Sequence, residues 1–435
     1  MNTFQNLKEK FQSHSAKVGV LGLGYVGLPL ACEFAKVGCS VTGFEVDPSK
    51  VKSLLAGKSY IGDIESREIQ ELVKTKRLTA TTNFQNLRGM DAIIVCVPTP
   101  LNKTKDPDIS YIDLAARKIA RTLRRGQLVV LESTTYPGTT RENVLPLLEN
   151  HGLKVGTDIF LAFSPERIDP GNKQYKLPNT PKVVGGITPH CKDLAFILYS
   201  QIVKQVVPVS SAEAAELTKI LENTFRAVNI GLVNEIMMIC DKLNLSVWEV
   251  IEAASTKPYG FMPFYPGPGL GGHCIPIDPH YLSWKMKSLN FSARFIELAG
   301  EINSHMPDFT VNKIMRALNQ RQKSISGSKI LVLGVAYKAN VSDMRESPAL
   351  DIIHLLQQMG ANVSYHDPYV PSIIVGEHKL VGRPYSKDLL HHADAVVITT
   401  AHSAFAPKEI LDNSKLIIDT RNMLRGLKSD NLVRL

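Results

Sequence analysis

Lys17-Val-Gly-Val-Leu-Gly-Leu-Gly-Tyr-Val-Gly-Leu-Pro-Leu30 is the stretch that decides the fold of this chain. Its apolar residues Val18 to Leu21 predict a short buried strand, and the residues after it predict a turn and a helix. Gly22, Gly24 and Gly27 have the spacing G-x-G-x-x-G, which permits a tight turn, admits a pyrophosphate to the backbone amides and lets helix and strand pack closely. The stretch therefore predicts a dinucleotide site, although a tight turn that binds nothing would look similar.

The next residues indicate which dinucleotide is expected. Ser40–Phe44 predicts a second strand, and Glu45 comes directly after it. A carboxylate at that position accepts hydrogen bonds from both hydroxyls of the adenosine ribose and repels a 2′-phosphate. We therefore expect NAD rather than NADP as the cofactor.

Two further apolar runs, Asp91–Val97 and Gln127–Leu131, predict buried parallel strands. The carboxyl ends of such strands line the ligand crevice. The polar residues expected there to face the cofactor or the substrate are Thr99, Ser133 and Thr134. Hydroxyl groups after strands also commonly cap helices, and for Ser133 and Thr139 both interpretations stay open.

Ala212 to Leu243 predicts one helix of about 30 residues, because the segment lacks proline and its apolar residues recur at helical spacing. Lys219 and Asn223 are four residues apart on this helix, so their head groups can reach one point. A helical lysine can equally be a solvated surface residue.

Tyr265 to Leu282 contains the most unusual local composition in the chain. Glycines and prolines between Pro266 and Gly272 exclude helix or strand and predict a shaped loop with accessible amides. Cys274 follows this loop, and Asp278 comes four residues later. This arrangement predicts a rigidly held nucleophilic thiol; the alternative is a Gly/Pro-rich connector with a small buried cysteine.

The C-terminal part repeats the strand and turn pattern. Lys329–Gly334 resembles the opening stretch but has one glycine in place of three, so it need not bind a dinucleotide in the same way. Three cations lie at or beyond predicted strand ends, where they suit a nucleotide diphosphate but could also be surface charges: Lys338, Arg345 and Arg421.

Length and composition limit the domain count, partners and compartment. With 435 residues the chain is too long for one core. Its net charge of +9 comes from scattered basic residues, which favours phosphate-bearing ligands over nucleic acid or a membrane. The six cysteines show no metal-ligand spacing, and no apolar run suits a secretion signal or membrane span, so we expect reduced thiols, no metal and a cytoplasmic location.

The predicted fold class is α/β, with two Rossmann-like parallel-sheet domains joined by a central helical domain that contains one long helix. The predicted boundaries are an NAD-binding domain at 1–208, a central domain with the cysteine loop at 209–322, and a C-terminal Rossmann-like domain at 323–435.

Several stretches together resemble the UDP-glucose/GDP-mannose dehydrogenase family across nearly the whole chain. The stretches that carry the resemblance are Gly22–Gly27, Glu132–Thr140, Lys219–Asn223, Arg226–Ile230, Gly271–Asp278, Tyr337–Lys338 and Asp343–Pro348. Their occurrence in this order is highly specific. Ser164–Arg167 and Pro266–Pro276 look like the bacterial members that act on UDP-N-acetylhexosamines, with UDP-N-acetylglucosamine as the nearest substrate.

The resemblance implies NAD-dependent, four-electron oxidation of the C6 alcohol of UDP-N-acetylglucosamine to a carboxylate, for surface polysaccharide synthesis. Cys274 would trap the aldehyde as a thiohemiacetal and then carry a thioester. Lys219 and Asn223 would stabilise the developing alkoxide. The residues implied to order the hydrolytic water are Asp278, Thr134 and Glu166. No metal is required.

The resemblance also implies two sets of binding residues. Those for NAD are Gly22, Gly24, Tyr25, Val26, Gly27, Glu45, Lys50, Pro98, Thr99, Ser133, Thr134 and Arg345. Those for the UDP-sugar are Glu166, Arg167, Lys219, Asn223, Tyr265, Gly267, Gly269, Gly271, Lys338 and Arg421.

The sequence departs from the family pattern at two positions. Pro170, next to Asp169, replaces a second glutamate of UDP-glucose enzymes, so which carboxylate activates water stays open, with Glu166 the preferred choice. Pro258 replaces an arginine that reaches a neighbouring subunit in some members. Dimerisation through the long helix is therefore implied by the resemblance alone.

Three alternatives remain at this point. The same reaction could act on UDP-N-acetylgalactosamine, UDP-N-acetylmannosamine or UDP-glucose. The protein could be an ordinary two-electron dehydrogenase in which Cys274 is structural. It could also be a nucleotide-sugar-binding scaffold without catalysis.

Overall fold

The computed structural model describes residues 2–62, 64–102, 106–150, 152–168, 172 and 174–435. The chain divides into two compact units. The first contains the residues through Glu222 together with His280–Phe291, and the second contains Asn223–Pro279 and Ser292–Leu435. None of the helices in the described ranges is long and apolar enough to cross a membrane.

The first unit is built on an eight-stranded sheet of order β3-β2-β1-β4-β5-β6-β7-β8. Its strands are β1 (Lys17–Leu21), β2 (Ser40–Phe44), β3 (Leu78–Thr81), β4 (Ala92–Val95), β5 (Leu128–Leu131), β6 (Phe160–Phe163), β7 (Lys182–Gly186) and β8 (Val206–Pro208). Neighbouring strands are parallel except β6 and β7. The central strands β4, β5 and β6 are buried along their whole length, as expected for a sheet covered by helices on both faces.

The helices of this unit follow the strands along the chain. They are α1 (Thr3–Gln12), α2 (Gly27–Lys36), α3 (Pro48–Leu55), α4 (Ser66–Lys74), α5 (Ser110–Ala120), α6 (Leu145–Glu149) and α7 (Pro189–Tyr199). Shorter helical turns lie at Phe84–Gly89, Thr140–Val144 and Leu177–Asn179. The side chains of α2 and α7 pack on the sheet and form one continuous apolar core with it.

The central segment is helical. Its helices are α8 (Ala212–Leu243), α9 (Val247–Ala254), α10 (Asp278–Lys287) and α11 (Arg294–Asn319). The 32 residues of α8 match the long helix that the apolar spacing predicts. The side chain of Ser246 caps α9 by accepting a hydrogen bond from the backbone of Glu249.

The C-terminal segment forms a five-stranded parallel sheet of order β10-β9-β13-β14-β15 and a separate hairpin, β11-β12. Its elements are β9 (Lys329–Leu333), α12 (Pro348–Gln358), β10 (Asn362–His366), β11 (Ser372–Val375), β12 (His378–Val381), α13 (Lys387–His392), β13 (Ala395–Ile398), α14 (Pro407–Asn413), β14 (Ile417–Asp419) and β15 (Leu432–Arg434).

Both parallel sheets place a glycine with positive φ where the strand order reverses. Gly22 (φ +86°) follows β1, and a Cβ on it would lie 2.5 Å from the carbonyl oxygen of Cys96. Gly334 (φ +83°) follows β9, and a Cβ on it would lie 2.5 Å from the carbonyl oxygen of Thr400. Other residues tolerate neither this φ nor this close approach. Because ligand crevices open at such reversals, each sheet has one candidate crevice.

The predicted fold class is confirmed: there are two parallel α/β sheets and a helical region with one long helix. The boundaries predicted at 208 and 322 stay predictions. The sequence does not indicate α1, β3, β7, β8 or the β11-β12 hairpin. β8 has only three residues, and β3 and β7 lack the uninterrupted apolar runs that predict β4 and β5: β3 alternates with threonine, and β7 opens with a lysine and ends in two glycines.

We expect Gly27→Ala to destabilise the first unit. The new Cβ would lie 1.9 Å from the carbonyl oxygen of Gly22, so the turn or α2 must move. Overpacking of this kind costs about 2 kcal/mol, which lowers the melting temperature by several degrees. Gly24→Ala is the matched control, because a Cβ there meets no heavy atom within 4 Å. Equal melting temperatures of the two variants would contradict this account.

Candidate active site

The turn between β1 and α2 keeps the opening that a pyrophosphate needs. No side chain or backbone fills the space beside Gly24, Tyr25 is 50% exposed, and Val26 directly precedes α2. Phosphates bind such helix N-termini because the first backbone N–H groups there have no partner in the helix. The turn therefore fits the cofactor that the sequence predicts.

Glu45 is fixed at the carboxyl end of β2. Its Oε2 accepts a hydrogen bond from the backbone of Leu23 at 3.1 Å, and its Oε1 accepts one from Val46 at 2.8 Å. The ammonium group of Lys50, a predicted cofactor contact, lies 3.7 Å from the same carboxylate. An acid held beside the glycine turn favours a ribose with free hydroxyls.

Two loops with predicted cofactor contacts are joined to each other. Pro98 and Thr99 follow β4, and Ser133 and Thr134 follow β5. The hydroxyl group of Ser133 donates a hydrogen bond to the carbonyl oxygen of Val97 at 2.8 Å. It therefore ties the loops together and caps no helix, while Thr134 remains partly exposed.

Glu216 on α8 anchors the rest of the second loop and is a residue that the sequence analysis missed. Its carboxylate accepts hydrogen bonds from the backbone of Gly138 at 2.6 Å and Thr140 at 2.8 Å, and from the Thr140 hydroxyl at 2.6 Å. Burial raises the pKa of Glu216 to about 7, although these donors favour the charged form. Thr139 donates to the carbonyl oxygen of Tyr136 and makes no side-chain cap. The only sequence signal for Glu216 is its position one turn before Lys219.

Glu166 and Arg167 follow β6. One carboxylate oxygen of Glu166 accepts hydrogen bonds from the backbone N–H groups of the next two residues, both at 2.7 Å. The guanidinium group of Arg167 pairs with Glu222 on α8, with Nε 3.0 Å from Oε1. Asp169 and Pro170, where the sequence departs from the family pattern, lie outside the described residues.

Cys274 lies on the turn that leads into α10. Its carbonyl oxygen accepts a hydrogen bond from the backbone of Asp278 at 2.8 Å. Asp278 is buried and accepts a hydrogen bond from the side-chain amide of Asn223 on α8. The structure thus brings together Cys274, Asp278 and Asn223. Cys274 is exposed, which does not fit a small buried structural cysteine.

Lys219 precedes Asn223 by one turn of α8. It is only 9% exposed, so it is not the solvated surface lysine that helical spacing alone would suggest. An ammonium group with little access to water interacts more strongly with nearby negative charge than one in bulk solvent.

The glycine-rich loop is held by side chains from α8 and from the C-terminal sheet. The backbone of Gly267 donates a hydrogen bond to Asn234 Oδ1 at 3.0 Å, and a Cβ on Gly267 would lie 2.5 Å from Arg421 Nη1. Arg421 also donates to the carbonyl oxygen of Thr399 at 2.9 Å, and burial lowers the pKa of Arg421 to about 10. Two further loop glycines, Gly269 and Gly271, pack against Pro348 and Tyr337.

The remaining predicted contacts are less enclosed. Arg345 is exposed and pairs with Asp343, with Nη2 2.6 Å from Oδ2, and its carbonyl oxygen accepts a hydrogen bond from Gly272 at 2.9 Å. Lys338 is partly exposed, and Tyr265 is 55% exposed. These side chains lie beside the glycine-rich loop or the loop after β9, where they can reach a ligand.

The topology of the first sheet, its open glycine turn and the fixed acid after β2 are those of an NAD-dependent dehydrogenase. Models of the UDP-glucose/GDP-mannose dehydrogenase family match three parts of the chain: the NAD binding domain at residues 16–203, the central domain at 213–305 and the UDP binding domain at 331–426. The chain therefore belongs to this family and is an NAD-dependent UDP-sugar dehydrogenase.

Individual relatives resemble the chain over most of its length. The UDP-N-acetyl-D-glucosamine 6-dehydrogenase of Pseudomonas aeruginosa is 36% identical over 391 residues, or 89% of this chain and 91% of the relative. The UDP-N-acetyl-D-mannosamine dehydrogenase of Pyrococcus horikoshii is 37% identical over 416 residues, or 94% and 96%. A solved structure of the UDP-D-ManNAc dehydrogenase of Pyrococcus horikoshii has a TM-score of 0.88 at 35% identity and covers 96% of this chain and 98% of its own.

We expect Glu216 to make stability depend on pH. The pKa of Glu216 is about 7 in the folded protein, above its ordinary value, so its contribution is present at low pH and is lost as pH rises through 7. Relative to Glu216→Gln, the free energy of unfolding of the wild type should fall by about 2 kcal/mol between about pH 5 and pH 8. Denaturant titrations at several pH values measure this difference.

Glu213→Gln is the matched control. Glu213 lies on the same helix and pairs with Arg141, and although burial opposes the shift, this pairing lowers the pKa of Glu213. The contribution of Glu213 is therefore lost as pH falls, so the control should show the opposite slope. Parallel pH profiles for the two variants would refute the assignment.

Proposed function

We propose that this protein oxidises the C6 alcohol of UDP-N-acetylglucosamine to the carboxylate in two NAD-dependent steps, with Cys274 as the nucleophile, and that the product serves surface polysaccharide synthesis. The observation that carries the proposal is an exposed thiol on the turn before α10, one turn from a buried carboxylate that holds the Asn223 amide. An ordinary two-electron dehydrogenase has no use for such a thiol.

The first step converts the alcohol to an aldehyde. The alkoxide that develops needs donors in a site with little water. Lys219 and Asn223 supply an ammonium and an amide from adjacent turns of α8, and Asp278 fixes the Asn223 side chain. NAD, when bound, accepts the hydride in each oxidation.

The second step uses the thiol. The Cys274 sulfur adds to the aldehyde carbon to give a thiohemiacetal, whose oxidation leaves a thioester on the enzyme. Water then attacks the thioester carbonyl and releases the carboxylate and the thiol. Glu166, Thr134 and Asp278 are the groups that we assign to the ordering of this water and to the uptake of its proton.

The binding residues divide between the two compact units. NAD is assigned to the first unit, with the open turn at Gly24 for the pyrophosphate and Glu45 for the ribose. Arg345, also assigned to the cofactor, lies in the second unit. The UDP group is assigned to Arg421 and Lys338, because buried or partly buried cations after parallel strands suit a diphosphate.

Substrate choice within the UDP-N-acetylhexosamines is the finer part of the proposal. Relatives that are equally similar carry names for the glucosamine and mannosamine sugars, which differ in one stereocentre. We choose UDP-N-acetylglucosamine because the segments around Glu166 and Cys274 look most like the enzymes that act on it. The galactosamine and mannosamine sugars and UDP-glucose are the alternatives.

A homodimer formed through α8 is also part of the proposal. Large apolar side chains along one face of this helix are exposed: Leu221 (62%), Leu232 (52%), Ile239 (47%) and Leu243 (61%). A contiguous apolar stripe of this kind marks a protein interface, and a second copy of the same chain offers a complementary surface.

We expect two NADH per UDP-N-acetylglucosamine from the wild type. Cys274→Ser should form no uronate, with a loss of about three orders of magnitude in turnover, because a serine ester does not replace the thioester. NADH absorbance and product mass spectrometry with a panel of four UDP-sugars measure both quantities.

Cys240→Ala, which removes a buried thiol of α8, is the matched control and should keep the stoichiometry of two NADH per sugar. One NADH per sugar, or normal turnover of Cys274→Ser, would refute the mechanism, and no NADH with any sugar would favour a scaffold.

We expect Ile239→Glu to convert the dimer into monomers, because it places a charge within the apolar stripe. Light scattering coupled to gel filtration measures the mass. Leu55→Glu, at a leucine of α3 that is 45% exposed, is the matched control and should leave the mass unchanged. A wild-type monomer would contradict the proposed assembly.

A further inference from the structure

A buried ammonium group lies between two carboxylates in the first unit. Lys182 opens β7, and its Nζ is 3.2 Å from Glu132 Oε2 and 3.3 Å from Glu166 Oε2. It also lies 3.4 Å from the carbonyl oxygen of Pro165. Lys182 is 4% exposed and Glu132 is 1% exposed, so neither charged group is solvated by bulk water.

Among the described residues, the other groups around this cluster are neutral or already paired. The hydroxyl group of Tyr199 on α7 donates a hydrogen bond to Glu132, and its ring lies 5.0 Å from Lys182 Nζ. Cys96, after β4, is partly buried, and desolvation raises its pKa well above the ordinary value, so it stays a thiol. Arg167, next to Glu166, forms an ion pair with Glu222, which neutralises its charge.

Charge balance requires one proton in the cluster at neutral pH. Two ionised carboxylates and one ammonium would leave a buried net negative charge, which is costly in a low-dielectric interior. Burial raises the pKa of Glu132 to about 7, with Lys182 acting in the opposite direction. Burial alone would lower the pKa of Lys182, but the two carboxylates raise it above its usual range, so the ammonium keeps its proton.

The two carboxylates differ in what holds them. Glu166 accepts two backbone hydrogen bonds at 2.7 Å in addition to Lys182, and such donors favour an ionised oxygen. Within the part of the chain that the structure describes, Glu132 accepts a hydrogen bond from the Tyr199 hydroxyl and lies against the Lys182 ammonium group, and no backbone N–H group donates to it. Glu132 is therefore the better place for the proton, and Glu166 the better place for the negative charge.

We propose that Lys182 and Glu132 are positioning residues for Glu166: the Lys182 ammonium group is shared between the two carboxylates, and Glu132 carries the proton that lets Glu166 remain an ionised carboxylate. The inference rests on the proposed function, in which Glu166 acts on the hydrolytic water. As pH rises and Glu132 ionises, the Lys182 ammonium group is shared with a second negative charge, so its attraction to Glu166 is weakened.

The test is the pH profile of kcat/KM in cluster variants, because this profile reports ionisation in the free enzyme. In Glu132→Gln no second carboxylate can ionise, so the acid limb should stay in place, while the change in kcat/KM of the wild type near pH 7, where Glu132 ionises, should disappear. In Lys182→Met the carboxylate loses its cation, so the limb should move to higher pH by about 1 pH unit, with about tenfold less activity at neutral pH. Lys182→Arg keeps the charge and should lie close to the wild type.

Tyr199→Phe is the matched control, since it removes the hydrogen bond to Glu132 without removing a charge from the cluster, and it should leave the limb in place. Loss of the change near pH 7 in Glu132→Gln, together with a raised acid limb in Lys182→Met, is a result that a purely structural role does not produce. A change in kcat/KM near pH 7 that persists in Glu132→Gln overturns the proposal. If Lys182→Met does not fold, Glu132→Gln decides alone.

A second readout does not depend on turnover. Because the pKa of Glu132 is raised in the folded protein, the stability of the wild type should fall as pH rises through about 7, and the fall should be smaller in Glu132→Gln, which keeps the contribution of Glu216. An identical pH dependence of the melting temperature in both proteins overturns the proposal even if the wild type forms no uronate. Uronate formation by the wild type without these shifts leaves the proposed function standing and refutes only the cluster.

Discussion

The hydrogen bond between the Asn223 amide and the Asp278 carboxylate is the constraint on which the proposed chemistry depends. It joins the long helix α8 to the turn that carries Cys274, within one compact unit. Both groups are buried, so breaking the bond would remove one hydrogen-bond partner from each of them in a dry environment, which is costly. The thiol is therefore placed relative to the amide by an interaction that the fold cannot easily give up.

The two parallel sheets use the same backbone arrangement with different consequences. In each, an acid after the second strand accepts hydrogen bonds from the turn after the first: Glu45 from Leu23, and Asp367 from Val335 and Ala336. Asp367 additionally pairs with buried His402 at 3.0 Å. The acid in the first sheet keeps a partly solvated Lys50 as its cationic neighbour, whereas the acid in the second is enclosed. The second sheet can thus have the same fold although Asp367 is not placed to bind a ribose in the way proposed for Glu45.

The apolar periodicity predicted the regular strands and helices, and the spacing of glycines and prolines predicted the loop before Cys274. Residues such as Glu216 and Lys182 could not be predicted in the same way. The hydrogen-bond partners of Glu216 lie 76 and 78 positions away in the sequence, and Lys182 contacts Glu166, 16 positions away. From the sequence alone, a glutamate on a helix or a lysine at the start of a strand looks like an ordinary surface charge. The ion pair between Arg167 and Glu222 could not be predicted either, because no local sequence feature distinguishes Arg167 from an arginine that binds a ligand.

The segment from Glu132 to Thr140 links these observations. Glu132 begins it within the Lys182 cluster, and Glu216 holds its far end through Gly138 and Thr140. Burial raises the pKa of both acids to about 7, so both ends of the segment change charge within the same narrow pH range. Thr134 lies between these ends, in a loop whose neighbour Ser133 is bonded to the loop after β4. Ionisation of either acid therefore changes the charge at one end of the loop that carries Thr134, the hydroxyl group proposed to order the hydrolytic water.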